Sequence, residues 1–212
     1  MPTTRQQNKA SKKAEVDMYQ VVPTSYTSLP VDIPDSFLAP LKDPSAIKTK
    51  VIDFAKTPLP EYKDLYAVVL DNVLSRDECN QLLKMAEMSA GAHTEGNEVE
   101  NNGWVPAMVN AGIGREFMAT DYRNSDRIIW DNKVLVKRLW ERVLQGEGIK
   151  EYISKLEGEK YRHVMGESML RQGIKSHVTE QGINERMRFL KYGPGQFFRG
   201  KVSLYFNVYQ TD

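Results

Sequence analysis

ERMRFLKYGPGQFF, running from Glu185 to Phe198, alternates with the period of a β-strand. Met187, Phe189 and Lys191 fall on one face and Arg186, Arg188, Leu190 and Tyr192 on the other, because successive side chains of a strand point to opposite sides. Such a ribbon is half buried. Gly193-Pro194-Gly195 ends it, since proline fixes φ and lacks an N–H while glycine permits a tight reversal. Phe197 and Phe198 resume an extended run, and Val202 to Tyr209, VSLYFNVY, is again β-prone.

Working outward, Leu65 to Leu70 (LYAVVL) predicts a strand. Ser75 and Glu78 form a Ser-x-x-Glu capping box, and Cys79, Leu82, Leu83 and Ala86 follow at helical spacing, which reads Cys79 as a buried structural thiol. Gly91 to Gly103 reads as a loop, so His93 and Glu95, although spaced like a metal pair, have no rigid strand to hold them. Arg123, Asn124 and Arg127 precede the apolar Ile128-Ile129-Trp130. Asp131 is the expected cap of a helix whose broad stripe, Leu135, Val136, Leu139, Trp140, Val143 and Leu144, suits packing on a sheet. Gly146 and Gly148 close it, and a short helix follows from Ile149 to Leu156. Gly158 to Gly182 is charged and weakly periodic, a surface helix or insertion loop; His163 and His177 lack a carboxylate two residues away.

Residues 1–60 hold eight of the ten prolines in Lys/Ser/Thr-rich surroundings. They are expected to be a disordered tail to about residue 30 and then an extended lead-in with one short helix around Ser45 to Phe54. Lys9, Lys12 and Lys13 read either as a solvated tail or as a nuclear-targeting or phosphate-contacting patch. Residues 61–212 are then the folded part. With 29 basic and 28 acidic residues the net charge is +1, which offers no global field for nucleic acid or an anionic membrane. No apolar run reaches the roughly 18 residues of a membrane helix, and the polar start, Met1 to Lys13, is not a secretory signal. One cysteine excludes an intramolecular disulfide and fits a reducing compartment, cytoplasmic or nuclear.

A strand ending in Tyr, a Gly/Pro turn, then Gln and two aromatics resembles the first core strands of the iron(II)/2-oxoglutarate dioxygenases, in particular a fungal and plant subset of the prolyl 4-hydroxylase-like group. The match runs unbroken from Asn184 to Arg199. The capped helix from Ser75 and the Arg123-Asn124-x-x-Arg127 segment resemble the same family's supporting helix and a strand near its active-site mouth. The resemblance implies an α+β fold with a partial double-stranded β-helix (jelly-roll) core, N-terminal supporting helices and an incomplete barrel. It implies an oxidoreductase chemistry in which Fe(II), 2-oxoglutarate and ascorbate serve hydroxylation of a protein side chain or small molecule. Tyr192 is the expected 2-oxoglutarate ligand, on an interior face with Arg188 and Leu190. Arg123, Arg127 and Arg188 are the substrate or rim candidates, with backbone-tying turn roles as the alternative for Arg123 and Arg127.

Where the family places a His and, two residues on, an Asp, this chain has Lys201 and Ser203. An ammonium binds Fe²⁺ only when deprotonated, and a neutral hydroxyl is a poor substitute for a carboxylate. The expectation is therefore a chain truncated or mis-spliced before the metal site, inactive as it stands. The competing readings are a noncatalytic binding or scaffold protein on the same platform, and an unrelated α/β interaction domain that matches by chance.

Overall fold

The computed structural model describes residues 18–95, 98–153, 155–177 and 182–199. The Lys9, Lys12 and Lys13 cluster, Lys201, Ser203 and the β-prone run 202–209 lie outside the described residues. The described chain mixes helices with several small antiparallel sheets, and no closed barrel occurs among the described residues. It divides into two units, one of residues 18–25, 105–127 and 190–199 and one of the described residues of 26–104 and 128–189.

The second unit carries the helices. In α1 (Arg76–Ser89) the Glu78 N–H donates to Ser75 Oγ at 3.2 Å and the Ser75 N–H to Glu78 Oε2 at 2.8 Å, so the capping box forms as its spacing predicts. The buried stripe is Met85, Ala86 and Ser89 with Leu82 beside it, one helix position away from the expected one. Cys79 is consequently exposed, which corrects its reading as a buried thiol. The small Ser89 closes the stripe by donating its hydroxyl to the Ala86 carbonyl at 2.7 Å.

α2 (Lys133–Val143) is capped by Asn132, whose Oδ1 accepts the Leu135 N–H at 2.9 Å. Asp131, the expected cap, is one residue too early and serves elsewhere. Leu135 and Val136 are buried, and so is Arg142. The short α3 (Ile149–Ile153) starts where predicted but stops short of Leu156, since Lys155 and Leu156 form a strand, and α4 (Arg162–Met165) and α5 (Glu167–Arg171) lie in the charged stretch that follows.

Residues 31–60, expected as an extended lead-in, contribute to the core. Phe37 and Leu38, 4% and 0% exposed, join Met85, Ala86, Ile128, Trp130 and Leu135 in one core cluster. The chain enters that core without strand partners, so its carbonyls need donors. α2 and the turn after it supply them: Arg138 to Pro34 and Phe37 at 2.9 and 3.0 Å, Arg142 to Ala39 at 2.8 Å, and Gln145 to Leu41 at 3.0 Å. Positions 138 and 142 lie one turn apart on the helix, and Gln145 stands just past its end.

Ser45 to Phe54, expected as a helix, is instead a 3-10 turn (Pro44–Ala46) followed by a strand (Lys48–Val51), because the β-branched Thr49 and Val51 pair with Leu70 and Val68. β1 (Val22–Pro23), β2 (Lys48–Val51) and β3 (Val68–Asp71) are the first three strands of the chain. β3 begins three residues later than predicted, since the Leu65 N–H is spent on the Tyr62 carbonyl at 2.8 Å in a turn. The expected loop from Gly91 to Gly103 holds a hairpin, β4 (His93–Glu95) with β5 (Glu98–Asn101). β6 (Val105–Pro106), β7 (Val109–Gly112) and β8 (Arg115–Phe117) follow in the first unit, where β8 lies between β1 and β7.

β9 (Arg123–Asn124) and β10 (Asp126–Asp131) come next, then the short pair β11 (Lys155–Leu156) and β12 (Ser176–His177), and finally β13 (Arg186–Lys191) and β14 (Phe197–Phe198). Asp126 and Arg127 pair with β6, β14 pairs with β9, and β13 is hydrogen-bonded beside β10. A shared sheet of Leu65–Leu70 with Arg186–Tyr192 would have excluded the chance-match reading; among the described residues β3 pairs with β2, in a sheet separate from that of β13. Met187 and Phe189 pack against the core cluster, so the apolar face of the quoted ribbon is the inner one.

Candidate functional site

β13 ends in the turn its sequence predicts. The Gln196 N–H donates to the Gly193 carbonyl at 3.0 Å, Gly195 sits at φ 78°, and Gln196 Oε1 folds back to accept the Gly193 N–H at 2.7 Å. Proline in second place and a left-handed glycine in third are what a type II turn requires. Tyr192 lies one residue past the strand and is 43% exposed, as is Leu190; Arg188 is exposed too. The face expected to be interior, with Arg188, Leu190 and Tyr192, is open here: Met187 and Phe189 pack against the core cluster, and no described strand covers the other side.

Arg127 is not at a rim. It is 5% exposed, and its guanidinium donates to Glu116 Oε1 at 2.6 Å in a buried pair that leaves Arg127 Nε without a partner. Arg123 stands 5.0 Å from the Phe198 ring centroid and donates to the Met108 carbonyl and Ser125 Oγ, each at 3.4 Å. Arg123 thus reaches a backbone carbonyl, whereas Arg127 pairs with a side-chain carboxylate.

A polar cluster in the second unit forms around Asp131, expected only as a cap. Arg186 donates from Nε and a terminal nitrogen to the two Asp131 oxygens at 3.0 and 3.1 Å. The Tyr26 hydroxyl donates to Asp131 Oδ2, the Arg186 guanidinium lies 4.8 Å from the Tyr26 ring centroid, and the Asp131 N–H donates to Ser28 Oγ at 3.2 Å. The Arg186 hydrogen bonds hold the Asp131 carboxyl below the usual range, helped by Tyr26 and the charge of Arg188. Burial first, then the bond to Asp131, raises the Tyr26 phenol. A carboxylate kept ionised with both oxygens occupied is no general base, and a phenol kept protonated is no nucleophile. The arrangement is a clamp that fastens the chain at Tyr26 and Ser28 to the ends of β10 and β13. No local pattern announces it, because Tyr26 and Asp131 are 105 residues apart; the one available sign was an arginine opening a half-buried strand.

An iron centre of the kind the resemblance implies needs two imidazoles and a carboxylate on one face. Among the described residues no group of three His, Cys, Asp or Glu side chains could hold a metal ion. Lys201 and Ser203, at the family's ligand positions, have the wrong donor chemistry. The described residues do not fit that metal. No protein-family model, curated protein or solved structure matches the chain. No described helix is long and apolar enough to cross a membrane.

Proposed function

We propose that this chain belongs to the iron(II)/2-oxoglutarate dioxygenase superfamily, in its prolyl 4-hydroxylase-like branch, and that it carries the helix-backed sheet of that fold without an iron site of its own. The observation that carries the reading is β13: it lays Met187 and Phe189 on the helices, leaves Arg188 and Leu190 open, and delivers Tyr192 into a Pro-Gly turn followed by two aromatics. In this reading Tyr192 is the 2-oxoglutarate-facing phenol, and the jelly-roll would need strands on the open side of β13. Hydroxylation of a protein side chain or small molecule is the family's activity; this chain alone does not perform it.

Anaerobic calorimetric titration with Fe²⁺ and 2-oxoglutarate tests the claim. No tight stoichiometric iron binding and no decarboxylation of 2-oxoglutarate are expected, and tight binding would refute it. Ancestry is tested separately by reading the transcript across the codons of Arg199 and Gly200. An in-frame Pro-His-x-Asp segment on any message supports the dioxygenase lineage. The clamp favours a second reading, a noncatalytic binding or scaffold protein, because Asp131 and Arg186 on the open side of the sheet are already saturated by each other. Messages that all run uninterrupted into Lys201 support that reading.

A further inference from the structure

A cleft of about 440 Å³ in the second unit shares no residue with the clamp. Carboxylates reach its wall from three separate segments: Asp53 from the cap of the 3-10 turn Phe54–Lys56, Asp64 from the turn before β3, and Glu147 from the loop after α2. Lys63 is the one cation in that wall. Asp53 is partly occupied by Lys56 at 2.9 Å, and Asp64 stands 4.0 Å from His163 Nε2. Glu147 has no ion-pair partner among the described residues.

The rest of the wall holds two tyrosines beside the aliphatic Val51, Ile52 and Leu65. Tyr66 and Tyr152 stack with ring centroids 3.6 Å apart and 16° between planes. The chain already places a cation on this assembly, since Lys160 Nζ lies 5.3 Å from the Tyr152 centroid and 4.7 Å from that of Tyr161. At the mouth, Val51 and Leu65 stay 60% and 37% exposed.

We infer that this cleft binds the guanidinium of an arginine side chain presented by another polypeptide. A guanidinium is planar, so it stacks on a tyrosine face while its N–H fork engages a carboxylate; an ammonium does only the second well. The cleft is of the size small ligands occupy. Val51 and Leu65 offer apolar surface to the arginine stem and to neighbouring residues, which free arginine lacks. The inference is independent of the dioxygenase reading.

Calorimetric titration of the full chain with acetyl-Gly-Arg-Gly-amide tests it, with the citrulline peptide, the lysine peptide and free arginine as parallel arms. Saturable binding by the arginine peptide alone, weakened about tenfold in both Asp64→Asn and Glu147→Gln, is expected. Both positions are exposed, and an unchanged melting temperature verifies that the variants fold. Absence of saturation, equal binding of citrulline, lysine or free arginine, or indifference to both variants overturns the proposal.

Discussion

Arg142 reaches farther into the second unit than any other charge described there. Its guanidinium forks onto Glu78 at 2.9 and 2.7 Å and donates to the carbonyls of Ala39 and Val73, at 5% side-chain exposure. Removing it strands those acceptors in a dry place. Arg142→Met should therefore cost about 3 kcal/mol, whereas Arg138→Met, which loses two carbonyl bonds nearer the surface, should cost about 1 kcal/mol. Urea denaturation of both variants reads the difference.

The pH dependence of stability is set at the same scale. Hydrogen bonds from Arg142 depress the Glu78 carboxyl, and those from Arg186 depress Asp131. A carboxyl that binds protons less readily when folded stabilises the protein fully above its unfolded value, about 4, and loses that stabilisation as pH falls through the folded one. Tyr26 works oppositely: its phenol is raised, so its contribution is intact below about 10 and lost as pH climbs through the higher folded value. Denaturation from pH 7 down to about pH 3 should show a falling acid limb. That limb should flatten in both Asp131→Asn and Glu78→Gln; an unchanged slope in the first would contradict the clamp's role, and in the second the role of the Arg142–Glu78 pair.

Elements form here where a local device and a tertiary partner agree. The turn after Tyr192 was legible because Gly193-Pro194-Gly195 admits few conformations, and φ 78° at Gly195 is the signature of the one adopted. Gly103 needs its missing Cβ for another reason: at φ 74°, an added methyl would lie 2.9 Å from both the Glu87 carbonyl oxygen and Ala90 Cβ. Gly195→Ala, with open space around it, should cost about 1 kcal/mol of strain alone. Gly103→Ala should cost more, about 3 kcal/mol, because backbone must move. Thermal melts of the pair decide the order. β2 was not legible because a pair of short strands is stable only once something else packs on it; for the β4–β5 hairpin the dipeptide Gly96-Asn97 between the strands was the available sequence signal. Cys79 and Asp131 were misassigned by a single helix position each, the error that reading periodicity without knowing the packed face invites.

Across the whole molecule, the proline-rich segment changes most between expectation and structure. Phe37 and Leu38 are buried like Leu135 in the first turn of α2. Phe37→Ala should thus destabilise by about 3 to 5 kcal/mol, as a core residue does, where a loose lead-in would show almost none. Limited proteolysis of the unsubstituted protein should likewise spare residues 31–42, and early cutting there would contradict their place in the core. The candidate residues divide in the same way. Arg123 and Arg127 could be recognised as paired groups only once Phe198 and Glu116 were beside them, and Tyr26 became visible only when folding carried it to Asp131.

By itself the sequence determined the capped helix at Ser75, the alternating strand ending at Tyr192, the Pro-Gly turn after it, and the unsuitability of Lys201 and Ser203 for iron. Each depends on a few adjacent side chains acting on their own backbone. Only the tertiary structure decided which face of that strand is covered, that the prolines lead into the core, and that Asp131 belongs to Arg186 and Tyr26. Those outcomes turn on which distant groups satisfy a buried carbonyl or charge, and desolvation makes that choice only after the chain has closed.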